Sequence, residues 1–514
     1  MASDYIARWY TFEFFSKVRM RFVPAALLVA TVASPLVAQT PAISLQTLSL
    51  QDAIAMAQGR GPSALIARKQ RDAARDRDHA FNARLLPQVF LSGNAANLNR
   101  GINPITLPDG STQFIAQAQN QSSLGLSIAQ KIPLTGGTLS IGSAVSRIDL
   151  FGTLSDDQTA KYWQTTPVII TLQQDLFKPR TLVWDEKQQS MSSLLAERQY
   201  LEAREDVAGT TANAFFELYS AQMTLANATS NAAVNDTLYT LSKGRYEVGK
   251  IGENELLQSE LQLLKARAAV DDARLSRDRA EAALRRNIDF PEGQAFTIVT
   301  PDSIPVVDAD PDVAVRQALK NSSVIENATL ATLLTKRRLT EARLNNRFNA
   351  SIVASVGFNQ TAPVFNQAYQ SPLGKQQLQV GINMPMLQWG GGHADVEAAQ
   401  ADDDRMAAQN KANRDALVED ARFSVLQLQQ AQRNVLISAK ADTVAQKRFE
   451  VAKNRYVIGK IGISDLFIAQ GEKDGAVLSY VQALRSYWTA YYHLRRVTLY
   501  DFVTKQELAD FPER

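Results

Sequence analysis

Two octapeptides constrain what this chain can fold into more than any other feature. Arg245-Tyr246-Glu247-Val248-Gly249-Lys250-Ile251-Gly252 recurs as Arg455-Tyr456-Val457-Ile458-Gly459-Lys460-Ile461-Gly462, identical at six of eight positions, with Tyr246 and Tyr456 lying 210 residues apart. Each copy separates two long stretches of helical periodicity. The glycines are stop-and-turn signals, so each copy reads as the tip of a helical hairpin. A duplication on this scale overrides the usual estimate of domain number from the 514 residues.

The periodicity around the tips gives the plan of one repeat. Leu48–Ala57 forms a short amphipathic helix ended by Gly59, Gly61 and Pro62, and a second helix runs from Ser63 to about Leu86, where Pro87 stops it. From Gln88 the period changes to two: Leu124, Leu126 and Ile128, then Leu139 and Ile141, then Val168, Ile170 and Leu172 alternate with small or polar neighbours. Thr135-Gly136-Gly137 reads as a tight turn, and residues 99–120 and 151–166 as long polar loops. Helical periodicity then continues from about Thr181 to Val248, a length of about 100 Å at 1.5 Å per residue. After the tip another helix runs from Glu253 to about Ile288.

The second half repeats this plan. Asp312–Ala328 corresponds to the first short helix, strands follow around 352–358 and 378–384, and a long helix from about His393 to Val457 leads through the tip to a helix from Ser464 to about Leu499. Ala83-Arg84-Leu85 and Ala342-Arg343-Leu344 place the halves 259 residues apart before the strands, whereas Phe177 and Leu387 place them 210 apart after. The first half therefore carries about one extra β-hairpin, giving six strands per chain, or four if the hairpin at Thr135 lies off the main sheet. The boundaries are a leader over 1–38, a first repeat over 39–300 with four strands in 88–177, and a second over 301–514 with two strands in 348–388.

Met20-Arg21 and the apolar run Val23–Ala33 form a short basic region and hydrophobic core with a cleavage site near Ala38, the pattern of a secretory signal peptide starting at Met20. The other reading is an N-terminal membrane anchor. No later segment reaches the ~20 apolar residues that span a bilayer. Strands with one apolar and one polar face instead fit an outer-membrane β-barrel. Since ~8 strands are the least that close a barrel, several chains must pool theirs: a trimer gives 12 or 18. The expected fold class is thus an α+β membrane protein built from two internal repeats, in which several chains close an outer-membrane β-barrel that continues into a barrel of long helices. Tyr162 and Trp163 are candidates for the outer interface belt, and Phe177, Trp184 and Trp389 for the inner one, with simple packing at the barrel–helix junction as the alternative.

With a formal net charge of +3 and interspersed charges, nothing suggests a nucleic-acid-binding surface. The absence of cysteine excludes disulfides, thiolate metal sites and a cysteine nucleophile. His79, His393 and His493 lack metal-ligand spacing, and Gly390-Gly391-Gly392 lacks the Lys-Ser/Thr of a phosphate loop, so neither a cofactor nor an enzyme activity is expected.

Through its leader, its duplicated helix–strand–helix plan and its paired Arg-Tyr-x-x-Gly-Lys-Ile-Gly tips, the chain resembles the TolC-type outer membrane factors over nearly all of its mature length. The resemblance implies a homotrimeric conduit, a trimeric outer-membrane β-barrel embedded in outer-membrane lipid and continuing into a long periplasmic α-helical barrel, with an equatorial collar from residues 289–312 and the tail after Tyr500. Its implied partners are a periplasmic adaptor and an inner-membrane pump, proton-driven or ATP-binding, in a tripartite efflux or type I secretion system. It also implies a gate at the second tip. Tyr456 matches a gate tyrosine, Lys460 is the nearest basic residue, and Asp465 matches an acidic ring position with Glu255 as its counterpart in the first repeat. Ile468 replaces a second acid of that ring. Ser464 and Asp465 acting only as helix caps is the other reading. Gly249, Gly252, Gly459 and Gly462 shape the tips for adaptor docking or serve only as helix ends. A periplasmic coiled-coil adaptor or scaffold without a pore is the competing function.

Overall fold

The computed structural model describes residues 46–151, 160–301 and 304–508. The expected signal peptide, with its Met20 start and Ala38 cleavage site, lies outside them. The first repeat runs β1 (Gln46–Ser49), α1 (Leu50–Arg60), α2 (Pro62–Arg84), β2 (Gln88–Asn94), β3 (Leu98–Thr106), β4 (Thr112–Lys131), β5 (Thr138–Phe151), β6 (Ala160–Leu176), α3 (Thr181–Glu247), α4 (Glu253–Asn287) and β7 (Phe296–Val299). The second runs α5 (Pro311–Asn321), α6 (Ser323–Asn345), β8 (Asn349–Ala362), β9 (Leu373–Asn383), α7 (Gly391–Val457), α8 (Ile463–Thr498), β10 (Tyr500–Asp501) and β11 (Gln506–Glu507).

The two long helices, α3 and α7, each have 67 residues and are offset by 210 at both ends. Upstream, α1 and α2 are offset from α5 and α6 by 261 at every boundary, not by the 259 taken from the Ala-Arg-Leu echo. A three-residue match inside an Ala- and Arg-rich helix slides easily, whereas the caps fix the register. Ser49 bonds the Asp52 amide and Asp310 the Asp312 amide, and Gly61 and Ser322 take the same extended backbone between paired helices. The Ser322 cap also divides the segment read as one helix over 312–328 into α5 and α6.

All strands between α2 and α3, together with β8 and β9, form one antiparallel sheet in the order β2-β4-β5-β6-β8-β9, with β3 paired to the upper part of β4 beyond β2. The β4–β5 hairpin belongs to this sheet, and its turn places Gly136 at φ +77°. Residues expected as loops extend the ladder: β3 pairs with Thr112–Asn120, and β6 begins at Ala160. The alternation there is short and carried mostly by small residues, Phe114, Ala116 and Ala118 against Gln113, Gln117 and Gln119, while the backbone pairs regardless of side chain.

Cross-strand register sorts the two faces. Val89, Ile128, Ile141, Ile170 and Val356 lie side by side across five strands, and all are exposed, from 40% to 65%. The next row on the opposite face is Gln88, Ala129, Ser140, Thr171, Ser355 and Gln377. A continuous exposed apolar face is tolerated only against lipid or another protein. Among the described residues no helix is long and apolar enough to cross a membrane.

The helices form a layer in the order α4-α3-α8-α7, with α1 and α2 on α3, and α5 and α6 on α7. The main core sits midway along it, where Phe215, Phe216, Leu284, Tyr487 and Leu494 are almost fully buried. The segments expected to form a collar pack there. β1 pairs with β7 in parallel, the Tyr487 hydroxyl donates to the Pro305 carbonyl at 2.5 Å, and β10 pairs with β11.

Candidate functional site: the helical tips

At each tip the helix ends in the same way. Gly249 donates to the Tyr246 carbonyl at 2.9 Å and Lys250 to Arg245 at 2.8 Å; Gly459 and Lys460 repeat this with Tyr456 and Arg455 at the same distances. This is a Schellman closure, with Gly249 and Gly459 at φ +70° and +74°, where a side chain is strained. Gly252 and Gly462 differ: they are the extended N-cap residues of α4 and α8. Since Gly462 caps α8 with no side-chain cap bond, Ser464 and Asp465 do not cap it, and Gln258 of α4 instead donates to the Ser464 hydroxyl at 3.3 Å.

The two copies diverge in burial. Tyr456 is 5% exposed and packs with Leu238, Ile463 and Leu466, whereas Tyr246 is 42% exposed. The cation facing Tyr456 is Arg245, from the first tip. Its guanidinium lies 5.2 Å from the ring centroid and donates to the Val457 carbonyl at 3.2 Å and the Tyr456 carbonyl at 3.5 Å. It thus also opposes the negative end of α7. Ser242, 1% exposed, places its hydroxyl 3.4 Å from that of Tyr456. Lys460, expected as the basic partner, is exposed at the turn. A search along the local sequence could not find Arg245, because the contact joins the two repeats. The equivalence of Arg245 and Arg455 under the 210-residue offset was the only available signal.

Asp465 and Glu255 are exposed in the first turns of α8 and α4, where the helix dipole favours a carboxylate. Among the described residues neither they nor Lys460 has an ion pair, so one chain does not bring these three together. No group of three or more His, Cys, Asp or Glu could hold a metal among the described residues.

At the sheet, Trp163 packs edge-on against Phe365, centroids 5.0 Å apart, below Arg147. Tyr162 and Trp163 were expected to share one belt, but successive strand residues point to opposite faces, and only Trp163 stands on the face that carries Ile170. Phe177 and Trp389, both at positive φ and exposed, mark the two strand-to-helix junctions, and Trp184 lies half-buried in the first turn of α3.

An apolar-faced sheet continuous with two helical hairpins of this length defines an outer-membrane channel protein. A sequence profile described as outer membrane efflux protein matches residues 129–288 and 314–498, and the chain belongs to that family. Its members are channels and not enzymes, placed in the outer membrane with long periplasmic helical extensions. Solved structures share the fold. The CmeC outer membrane channel of Campylobacter jejuni aligns with TM-score 0.63 at 15% identity, covering 90% of this chain and 87% of that one. The outer membrane protein VceC of Vibrio cholerae gives 0.61 at 15%, over 88% and 96%. The open-state MtrE outer membrane channel of Neisseria gonorrhoeae gives 0.58 at 16%, over 87% and 88%. No curated protein sequence matches the chain. Membership in a channel family displaces the adaptor reading.

Proposed function

We propose that the protein is the passive exit duct of an efflux pump or type I secretion system, gated at its periplasmic tips. The observation that carries this reading is the exposed apolar face of the sheet, joined directly to helices of about 100 Å. The sheet is open at β2 and β9, and the helical layer at α4 and α7, so the same rotation between copies closes both. Exposed Leu257, Leu261 and Leu264 on α4 and Leu436 and Ile437 on α7 supply apolar surface for that contact. The sheet has seven strands, one more than the six expected, but β2 and β3 lie end to end along β4, so each chain fills six positions and a homotrimer makes a barrel of eighteen, wide enough for an aqueous lumen. The two repeats, with boundaries at 39–300 and 301–514, supply the alternating halves of the helical wall.

The gate is held by Arg245 on Tyr456 and on the end of α7, and a threefold ring of Asp465, with Glu255 as its counterpart in the first repeat, gives the closed mouth its preference for cations. Gly249 and Gly459 shape the turns that a periplasmic adaptor grips, and an inner-membrane pump supplies the energy. Purified protein in planar bilayers tests the reading without partners. Passive conductance, with cation preference reduced in Asp465→Asn, is the expected result; a protein that inserts as a trimer yet never conducts overturns it.

A further inference from the structure

The apolar face of the sheet gives way to a different chemistry at the end far from the helices. On β5 the residues of that face are Leu139, Ile141, Ser143, Val145, Arg147 and Asp149, in an unbroken ladder with β4. Followed outward along every strand, the face carries no charged residue until this level, where Arg147 lies opposite Trp163 and Asp149 opposite Lys161. With the helices in the periplasm, this is the level of the outer-leaflet headgroups.

An extra residue in β6 creates the arrangement. Trp163 and Ile170 are seven positions apart and would point to opposite faces in a regular strand. From Val168 to Thr165, however, β6 takes three steps where β8 takes two, and it takes three from Ile169 to Thr166 where β5 takes two. This is a β-bulge, and it contains Pro167, a residue otherwise unsuited to an inner strand. Gly357 on β8 admits it, since an added Cβ there would collide with the Val168 carbonyl. The bulge turns Lys161, Trp163 and Thr165 outward beside Arg147 and Asp149.

The β8–β9 connection then folds down onto the same face. The Thr165 hydroxyl donates to the Ala368 carbonyl, and the Gln360 amide to the Gln370 and Ser371 carbonyls at 3.3 and 3.2 Å. The Phe365 ring meets Trp163 at 5.0 Å and Tyr369 at 5.5 Å, and both Phe365 and Tyr369 stay exposed. The result is a fixed aromatic shelf above the apolar rows.

Beside the shelf, Asp149 is nearly buried and accepts from Nε and Nη2 of Arg147 through one oxygen, both at 3.0 Å. That bond holds the guanidinium in place and leaves Nη1 without a partner among the described residues. Lys161 is exposed and has no ion pair among them. Two cations against one carboxylate leave a positive balance, and diagonal positions about 7–8 Å apart let both reach one tetrahedral anion. β5, β6 and β8 are inner strands, so a copy joined at β2 or β9 does not cover them.

We infer that Arg147 and Lys161, walled by Trp163 and the β8–β9 loop, bind the phosphate of an outer-leaflet lipid whose acyl chains lie on the apolar rows. A free phosphate would gain only the two cations, whereas a lipid gains the shelf and the apolar face as well. The site depends on the lipid-facing assignment of the sheet and is independent of how the tips gate.

The test uses detergent-purified trimer and, as probe, lipid A, an acylated disaccharide bearing phosphates, beside the same lipid with its phosphates removed. Native mass spectrometry should show lipid A retained and the dephosphorylated form retained more weakly. At about fivefold for each cation near a membrane surface, Lys161→Gln should weaken retention about fivefold, and Arg147→Gln with Lys161→Gln about thirtyfold. Arg100→Gln, on the same face but one row beyond Asp149 and two strands from β5, should retain lipid A as wild type does. Lys161 makes no ion pair among the described residues, so its single variant reads the site even if the double variant fails to assemble. Equal retention of the two lipids by wild type, or an assembled double variant that retains lipid A undiminished, overturns the site. Displacement of lipid A by millimolar inorganic phosphate overturns the lipid as its ligand in favour of a free anion. A wild-type trimer that retains neither lipid overturns the lipid-facing assignment together with the site.

Discussion

The guanidinium of Arg245 covers the ring of Tyr456, 211 positions later in the chain, at 5.2 Å from its centroid. The equivalent Arg455 is exposed, as is Tyr246. One cross-repeat contact thus replaces the two that the duplicated sequence could have made, and the pair joins the end of α3 to the end of α7.

If this contact holds the gate, its loss is worth about 1–2 kcal/mol, or about tenfold in the ratio of closed to open tips. Arg245→Ala should raise single-channel open probability by that order, while Arg455→Ala leaves it at the wild-type value. Equal effects of the two substitutions would show that the asymmetry of the tips has no bearing on gating.

The turn glycines make separable contributions. Gly459→Ala forces a side chain to φ +74° and should cost about 1 kcal/mol of tip stability, seen as faster hydrogen exchange over 455–462. Gly462→Ala, at an extended N-cap where a Cβ meets nothing within 4 Å, should change that exchange far less.

The assignment of sheet faces is checked by charge. Ile141→Arg places a guanidinium in the apolar row and should cost about 2–4 kcal/mol if that row meets the bilayer core, reducing the yield of heat-modifiable trimer extracted from membranes. Ser140→Arg, on the opposite face of the same strand, should insert normally.

Glu205 gives a pH dependence with an unusual sign. Its carboxylate accepts from Arg495 at 2.8 Å and 3.3 Å, and Arg495 also donates to Asp501 and the Tyr491 hydroxyl. Burial raises the Glu205 pKa above the ordinary glutamate value, outweighing the lowering by Arg495. A raised folded-state pKa means that the folded protein holds this proton more tightly than the unfolded chain. The group's contribution to stability is therefore full at low pH and is lost as pH rises through the raised pKa. Glu205→Gln fixes the neutral form, so the melting temperature of the variant minus that of wild type should increase from pH 4 to pH 7. A difference that falls over this range would mean that the carboxylate is stabilised as the anion.

Much of the architecture was legible in the sequence because it rests on local rules. The helix ends at Glu247 and Val457 follow from glycines that only a left-handed turn requires, and 3.6- and 2-residue periods separate helices from strands wherever one face is apolar. The strands over 98–106 and 112–120 were not read from the sequence, since their many polar and small residues resemble a loop and the ladder depends on a partner brought alongside. The register upstream of the strands was misread by two residues for a related reason: identity of Ala, Arg and Leu carries less positional information than caps at Ser49 and Asp310.

By itself, the sequence determined that the chain is duplicated, that its helices end at paired tips, and that its strands have one lipid-compatible face, because each of these is written in the spacing of residues near one another in the chain. Tertiary structure alone decided that Arg245 and not Lys460 meets Tyr456, that Tyr162 and Trp163 part to opposite faces, and that Asn235 of α3 and Gln470 of α8 line one groove. Contacts between the repeats depend on how two long helices are set side by side, and no local pattern encodes that setting. The paired tips, nearly identical in sequence, become unlike in the fold, since the layer order α4-α3-α8-α7 places α3 and α8 inside and leaves α4 and α7 at its edges.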